Sequence, residues 1–260
     1  MTRPLAAITG ASAGIGAAFA SQLARRGHDL LLVARGAQRL QALGESLARA
    51  HGIAAEAFPC DLADPADLKR LEDRLANEPA LALLVNNAGF GAGKDFLQVG
   101  ADAHEAMIRV HLTATVRLTR AALPGMVERR SGAVVNVSSV AGWLPRAGSV
   151  TYGASKSYLT FFTEALSVEL LGTGVKVQTL CPGLTHTEFH QRAGIDVRAK
   201  PGWLWMSAED VAASSLRCLD RGKVICVPGL KNRLFVAVSR VLPHGLLGAV
   251  VRKTDQKSSR

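Results

Sequence analysis

Cysteine is rare in this 260-residue chain, and its placement excludes two common uses of the residue. The four cysteines are Cys60, Cys181, Cys218 and Cys226. They form no Cys-x-x-Cys pair and have no accompanying histidine cluster, so the sequence predicts neither a metal site nor a disulfide framework. Free thiols are typical of a reducing compartment, so we expect a cytoplasmic protein.

The chain also lacks any recognisable nucleic-acid-binding motif, although its formal net charge is +10. A surplus of positive charge favours nucleic acid, an anionic membrane or a phosphorylated ligand. The basic residues are scattered except near the C-terminus. We therefore expect no nucleic-acid partner, which leaves the other two.

The apolar C-terminal stretch, residues 230–260, does not resemble a transmembrane span. Pro243 and several basic residues interrupt it, whereas a span needs about 20 consecutive apolar residues. It suits an amphipathic segment at a membrane surface, or a helix that packs on its own domain or on another subunit. We favour the packed helix, followed by a polar tail over residues 253–260.

A glycine-rich turn lies between the first predicted strand and the first predicted helix. Residues 5–9 are an apolar run, and Ala-rich sequence follows residue 16. The turn between them contains Gly10, Ser12, Gly14, Ile15 and Gly16. Such a corner lets the backbone approach a pyrophosphate, while the helix N-terminus directs N–H groups at it. This placement predicts dinucleotide binding.

Strands and helices alternate along the rest of the chain. Further strands are predicted over residues 28–34, 53–58, 81–85, 132–138, 175–180 and 224–227. Helices are predicted over residues 38–50, 65–77, 102–130, 152–171 and 208–220, the third of them kinked or interrupted at Pro124-Gly125. This alternation predicts an α/β fold, a doubly wound parallel sheet with helices on both faces. We expect one catalytic domain over residues 1–229, with a substrate lid at 184–207, and a C-terminal extension over 230–260.

A basic residue follows the second strand where an acidic one would suit a free ribose. Arg35 ends that strand, Arg39 comes one turn later, and no acid occurs before Glu45. An acid there would bind a 2′-hydroxyl, whereas arginine suits a 2′-phosphate. The sequence therefore favours NADP(H) over NAD, the alternative being a solvated basic turn.

A serine, a tyrosine and a lysine are spaced as an acid–base group. Ser139 follows a strand, and Lys156 lies four residues after Tyr152. On a helix, residues four apart share a face at about 5–6 Å between Cβ atoms. The ammonium would favour the ionised phenol, and the serine hydroxyl would hold a substrate oxygen. These groups suffice for proton transfer to a carbonyl or from an alcohol.

With these motifs in order, the chain resembles the short-chain dehydrogenase/reductase family from about residue 5 to residue 187. The shared motifs are Thr-Gly-x-x-x-Gly-x-Gly at 9–16, Asn-Asn-Ala-Gly at 86–89, Ser139, Tyr-x-x-x-Lys at 152–156 and Pro-Gly at 182–183. The resemblance implies a Rossmann-like, NAD(P)-dependent oxidoreductase. Members with arginine at the position of Arg35 usually prefer NADP, although many of them carry a basic residue where this chain has Ala13.

The resemblance also implies the roles of individual residues. Tyr152 would be the general acid in reduction and the base in oxidation, Lys156 would lower its pKa and hold the nicotinamide ribose, and Ser139 would orient the substrate oxygen. The remaining cofactor contacts would come from Asp61 and Leu62 at the adenine, Asn87 beneath the cofactor, and Pro182, Gly183, Leu184 and Thr187 at the nicotinamide.

His111 departs from the family, which usually has asparagine at this position. That asparagine is the fourth catalytic residue, and it marks a helix bend whose main-chain carbonyl holds a water that contacts the lysine. The carbonyl survives the substitution, so we expect His111 to serve through its backbone. The imidazole could instead relay protons near neutral pH, or merely fill space.

The predicted lid is apolar in a chain where only 5% of residues are aromatic. It carries Phe189, Trp203, Leu204, Trp205 and Met206. As a group they favour an apolar substrate, although each alone could pack under the lid or at a subunit contact. His186, His190 and Arg192 could meet a polar end of the substrate, but we expect them to be solvated surface groups. We expect an enzyme that reduces an apolar ketone or aldehyde, or oxidises the matching alcohol, and that assembles as a homodimer or homotetramer. The alternatives are a cofactor-binding regulatory or scaffold protein weakened by His111, and a peripheral membrane enzyme with a lipid-like substrate.

Overall fold

The computed structural model describes residues 3–195 and 201–241. Within them, parallel strands form one sheet: β1 (Leu5–Thr9), β2 (Asp29–Ala34), β3 (Ala55–Pro59), β4 (Leu81–Asn86), β5 (Gly132–Val137), β6 (Val175–Leu180) and β7 (Ile225–Cys226). The strand order is β3-β2-β1-β4-β5-β6-β7. The chain therefore reverses its direction of winding between β1 and β4. A crevice opens at such a reversal, outside the carboxyl ends of the strands.

Helices cover both faces of the sheet, as the alternating pattern predicts. They are α1 (Gly14–Arg25), α2 (Ala37–His51), α3 (Pro65–Ala76), α4 (Ala101–Ile108), α5 (Ala114–Glu128), α6 (Val150–Glu169), α7 (Phe189–Arg192), α8 (Ala208–Asp220) and α9 (Leu230–Val241). Single 3-10 turns occur at Phe96–Gln98, Val140–Trp143 and Gly202–Leu204. The doubly wound, Rossmann-like single domain is confirmed.

The buried apolar residues form one layer on each face of the sheet. One layer joins Phe19 of α1 and Leu216 of α8 to Leu32 of β2. The other joins Leu71 of α3 and Leu118 of α5 to the opposite face. Strands covered on both sides read as continuous apolar runs, which is why their positions could be predicted.

The long helix between β4 and β5 is interrupted around His111, where the resemblance implies a bend, and not at Pro124. The chain passes through Pro124 without a break, because α5 continues from Ala114 to Glu128. The interruption is a π-helical turn over Arg109–Thr113, between α4 and α5. Proline removes one helical hydrogen bond, and the packing of α5 against α3 and β4 maintains the helix across that loss. The prediction of a break at Pro124-Gly125 was wrong.

Helix α9 packs on its own domain. Val236 is buried against Cys181 and Val227, and the Arg240 guanidinium lies 4.4 Å from the centroid of the Trp143 ring. Residues 242–260 lie outside the described residues, and with them the predicted polar tail. No helix in the described part of the chain is long and apolar enough to cross a membrane.

Candidate active site

The glycine-rich turn lies at the carboxyl end of β1, beside the loop that follows β4. Gly10 has a φ of +66°, which glycine adopts readily. A Cβ on Gly16 would collide with the Gly10 carbonyl oxygen and would stand 2.6 Å from Nδ2 of Asn87. Only a residue without a side chain fits at Gly16, because both neighbours belong to the fixed ends of strands.

The N-terminus of α1 carries no side-chain cap. Its N-cap residue, Ala13, makes no side-chain hydrogen bond, and the first turn has no acidic residue. The first N–H groups of a helix need partners and favour negative charge. The glycine cradle and this uncapped terminus, with Ser12 and Ile15 half-buried beside them, therefore fit the pyrophosphate of a dinucleotide.

Asn87 joins β4 to β1 at this edge of the sheet. Its Nδ2 donates to the carbonyl oxygen of Thr9 at 2.9 Å, and its backbone N–H donates to Thr9 Oγ1 at 2.9 Å. The backbone N–H of Ala88 donates to the same hydroxyl. Asn87 thus holds the carboxyl ends of β1 and β4 together at the base of the crevice.

Positive charge lies at the end of β2, as the sequence predicts. Arg35 is exposed, and Arg39 forms an ion pair of 3.3 Å with Glu188, just before α7. This ion pair connects the segment after β2 to the predicted lid. Of the two residues expected at an adenine, Asp61 accepts from the Ala63 N–H, and Leu62 is buried in the core.

Tyr152, Ser139 and Lys156 come together at the carboxyl ends of β5 and β6. Ser139 follows β5, and its Oγ accepts from the Ala141 N–H at 3.1 Å. Ser139 lies close enough to the Tyr152 phenol to act on its pKa. Lys156 lies one turn along α6, with Nζ 5.5 Å from the centroid of the Tyr152 ring. The three residues, which are separated in the sequence, therefore lie close together in the structure, as their spacing predicts.

Burial shifts the pKa values of both titratable members of this group. It raises the pKa of Tyr152 to about 12, although the neighbouring Ser139 acts in the opposite direction. It also lowers the pKa of Lys156 to about 8, against the influence of Cys181. The phenol is therefore protonated at neutral pH and can donate a proton. The resemblance implies a lowered pKa for Tyr152, whereas burial dominates in this structure.

His111 is buried within the π-helical turn, beneath Gly89. Its Nε2 accepts from the Phe90 N–H at 3.0 Å, and its Nδ1 lies 2.9 Å from Ser155 Oγ. Burial and the nearby Lys156 hold the pKa of His111 well below its usual value. The ring is therefore neutral and fully hydrogen-bonded.

The turn after β6 reaches both the glycine-rich loop and α9. A Cβ on Gly14 would meet Thr187 Cγ2 at 2.9 Å, so this part of the lid touches the dinucleotide-binding loop. The Pro182 carbonyl accepts from the Val140 N–H, and Asn232 of α9 lies against Gly183. Leu184 accepts from the Met206 N–H, which closes the two ends of the lid on each other.

The predicted lid brings several rings together, although residues 196–200 lie outside the described residues. Phe189 lies 5.5 Å from Tyr152, centroid to centroid. His186 stacks on Trp205 at 4.8 Å, and His190 meets the edge of the same indole at 5.1 Å. His190 is half-buried, contrary to the prediction of a solvated group, because the short turn of α7 directs it at Trp205. Trp203 lies outside this group, under the Lys231 ammonium.

Comparison with known proteins identifies the family. The family model for short chain dehydrogenases matches residues 4–197. The chain belongs to the short-chain dehydrogenase/reductase family. It is 38% identical to an uncharacterized oxidoreductase of Myxococcus xanthus, over 97% of this chain and 98% of that protein. As a member, it is an oxidoreductase that acts on alcohol or carbonyl groups and binds NAD(P).

Two solved dehydrogenase structures are similar to it. One, from Sphingobium yanoikuyae in complex with NADPH, is 41% identical with a TM-score of 0.84, and the match covers 87% of this chain and 88% of that one. The other is a bulky-bulky ketone specific alcohol dehydrogenase from Comamonas testosteroni. It is 30% identical with a TM-score of 0.81, and the match covers 95% of each chain.

Three residues at the site carried no signal in the sequence analysis. Ser155 bonds both His111 and the Tyr152 carbonyl, yet it reads as an ordinary helix residue. Glu188 and Asn232 reach the site only because the lid and α9 fold over it. A sequence pattern does not record such contacts between distant elements.

Proposed function

We propose that this enzyme transfers hydride between NADP(H) and an apolar ketone or aldehyde, or the matching secondary alcohol, with Tyr152 as general acid and base. The observation that carries the proposal is the position of Tyr152, whose ring lies 5.5 Å from that of Phe189 and 5.5 Å from Lys156 Nζ, with Ser139 beside its phenol. A proton donor, an oxygen-binding hydroxyl and an apolar wall thus meet at one point beside the dinucleotide crevice.

The proton and the oxygen are handled by the chain's own residues. A bound dinucleotide supplies hydride transfer at its nicotinamide ring. In reduction, the Tyr152 hydroxyl gives its proton to the carbonyl oxygen as the carbon accepts the hydride, and Ser139 holds that oxygen in place. Lys156 adds positive charge next to the phenolate that results. Oxidation reverses these steps.

The lid favours an apolar substrate. Phe189 contacts Tyr152 directly, and Trp205 stands behind it with two histidine rings. Apolar and aromatic walls bind carbonyl compounds by burying apolar surface, while a few polar groups fix their orientation. The similar enzyme of Comamonas testosteroni is described as specific for bulky-bulky ketones, which supports the same substrate class here.

The preference for NADP(H) rests on charge. Arg35 is exposed at the end of β2 and forms no ion pair with any other residue in the described part of the chain, so its guanidinium is available to a 2′-phosphate. The Sphingobium yanoikuyae structure holds NADPH. Both observations favour the phosphorylated dinucleotide.

A carbonyl panel tests this function. NADPH oxidation would be followed with aryl ketones, medium-chain aldehydes, and small hydroxylated or carboxylated carbonyl compounds. We expect turnover with the first two groups, and a higher KM for them in Phe189→Ala. Phe161→Ala is the matched control, because that ring is 76% exposed on α6. Turnover confined to the polar compounds would contradict the substrate class.

The scaffold alternative receives no support from the site. It depends on His111 weakening catalysis, yet the contact between Tyr152 and Ser139 is intact beside His111. The homodimer or homotetramer and the membrane contact through residues 230–260 stay predictions. Size-exclusion chromatography with light scattering tests the first, and vesicle co-sedimentation of the full chain tests the second.

A further inference from the structure

The two ring nitrogens of His111 join two segments that flank the proposed nicotinamide site. Nε2 accepts from the backbone N–H of Phe90, in the loop after β4. Nδ1 faces Ser155 Oγ at 2.9 Å, in the first turns of α6. Ser155 in turn donates to the Tyr152 carbonyl at 2.7 Å. One imidazole thus spans from the loop to the residue that carries the proposed proton donor.

These hydrogen bonds fix the tautomer of the ring. A backbone N–H can only donate, so Nε2 must offer its lone pair to Phe90. The proton of the neutral ring therefore stands on Nδ1 and is donated to Ser155 Oγ. The Ser155 hydroxyl then has its own proton for the Tyr152 carbonyl. In this series of hydrogen bonds, from the Phe90 N–H to the Tyr152 carbonyl, every donor therefore has one acceptor.

The surroundings of the ring oppose a positive charge on it. His111 is 1% exposed, and Lys156 Nζ lies beside the same glycine that covers the ring, since a Cβ on Gly89 would meet both side chains. The other titratable group at the ring is Tyr152, 5.8 Å away in an edge-on arrangement. A second cation next to Lys156 would be repelled in this buried space.

We propose that His111 is a positioning residue, whose neutral, Nδ1-protonated imidazole holds the loop after β4 against the first turns of α6. By this link it sets the place of Tyr152 and Lys156 relative to the dinucleotide. The proposal rests on the proposed role of Tyr152. It differs from a proton relay, because neither ring nitrogen is free to accept a proton. It differs from a role of the backbone alone, because the side chain makes both bonds.

Two substitutions of similar size separate these roles. Glutamine offers one acceptor and one donor at its end, so His111→Gln can keep both bonds, whereas His111→Leu keeps neither. Because small displacements of a reacting group are costly, we expect kcat to fall by about tenfold to a hundredfold in His111→Leu. The KM for NADPH should change little, and His111→Gln should recover most of kcat.

A control variant removes the effect of stability. Leu118 is buried in α5 within the core layer that joins α3 and α5 to the sheet, so Leu118→Ala should lower Tm without lowering kcat per folded molecule. Wild-type kcat in a folded His111→Leu variant would overturn the proposal in favour of the backbone. A second result would also overturn it: His111→Gln is as slow as His111→Leu, and its pH–rate profile has lost an ionisation. That outcome would indicate a proton relay.

The tautomer gives a readout that does not depend on turnover. Nitrogen-15 NMR of the histidines in the wild-type protein should show, at neutral pH, a ring with its proton on Nδ1 and a lone pair on Nε2. A charged ring, or a proton on Nε2, would refute the proposal even if Tyr152 is catalytic. Conversely, full turnover in Tyr152→Phe would contradict the proposed function but would not affect this result on the tautomer.

Discussion

The Nζ atom of Lys156 donates a hydrogen bond to the carbonyl oxygen of Val137 at 2.8 Å. This bond anchors the ammonium to the last residue of β5 and satisfies a buried donor. Lys156 is itself only 4% exposed, so its charge is held in a poorly solvated place beside the Tyr152 ring. The folded protein therefore holds a buried positive charge at Lys156, and burying this charge lowers the stability of the fold.

That cost predicts a pH dependence of stability. The pKa of Lys156 is lowered from its usual 10.5 to about 8, so between these values the unfolded chain binds a proton that the folded chain does not. Stability contributed by this group therefore rises with pH across the window and is least below pH 8. Relative to Lys156→Met, the free energy of unfolding of the wild type should rise by about 3 kcal/mol between pH 8 and pH 10.5.

Denaturant unfolding of both proteins at each pH measures this difference. Lys176→Met, on β6 at an exposed position, controls for the loss of one positive charge from the surface. A constant difference between wild type and Lys156→Met from pH 8 to pH 10.5 would contradict the burial of the ammonium.

Tyr152→Phe keeps the ring and removes the transferable proton. General acid–base catalysis contributes about 10²–10⁴-fold, so kcat should fall by at least that order. Dinucleotide affinity, followed by NADPH fluorescence, should be retained, because the glycine-rich turn is untouched. Tyr158→Phe is the matched control, since that tyrosine is 45% exposed on the same helix. Turnover at the wild-type rate would remove Tyr152 from the mechanism.

Arg35→Asp tests the choice of dinucleotide. The change replaces an attractive contact to the 2′-phosphate with a repulsive one, so the preference for NADP over NAD should fall by about tenfold to a hundredfold. The ratio of kcat/KM for the two dinucleotides measures it. Arg49→Asp, on an exposed position in the last turn of α2, is the control for net charge. An unchanged ratio would mean that Arg35 is a solvated surface residue.

The sheet could be predicted from the sequence because its signals are local. Strands β1 and β6 and helix α8 occupy the residues predicted for them, since each is a short apolar or periodic run bounded by turn residues. The proximity of Ser139, Tyr152 and Lys156 follows from one helical turn and the end of one strand. These features need no knowledge of distant contacts.

The features that the sequence did not predict depend on distant contacts. The resemblance implies a helix bend at His111, but it did not predict that the His111 side chain bonds Ser155, 44 positions away. The ion pair between Arg39 and Glu188 spans 149 positions. Neither contact leaves a periodic or compositional signal, so neither could be predicted from a single sequence.

Gly16→Ala tests the close approach at the glycine-rich turn. The added methyl group would collide with the Gly10 carbonyl oxygen and approach Asn87 Nδ2, and both atoms are held at strand ends by hydrogen bonds. Because the backbone must move, we expect a loss of stability of about 1–3 kcal/mol, as for other overpacked positions. The displaced turn should also bind NADPH more weakly.

Gly100→Ala is the matched control for this substitution. No heavy atom lies within 4 Å of a Cβ at Gly100, and its φ of −61° suits alanine. Its Tm and NADPH affinity should stay close to those of the wild type. Thermal unfolding with and without NADPH separates the two effects, since Gly16→Ala should lose both Tm and the increase in Tm on adding NADPH. If the two variants have the same Tm and the same NADPH affinity, the turn can shift to accommodate the methyl group. The close packing around Gly16 is then not needed for dinucleotide binding.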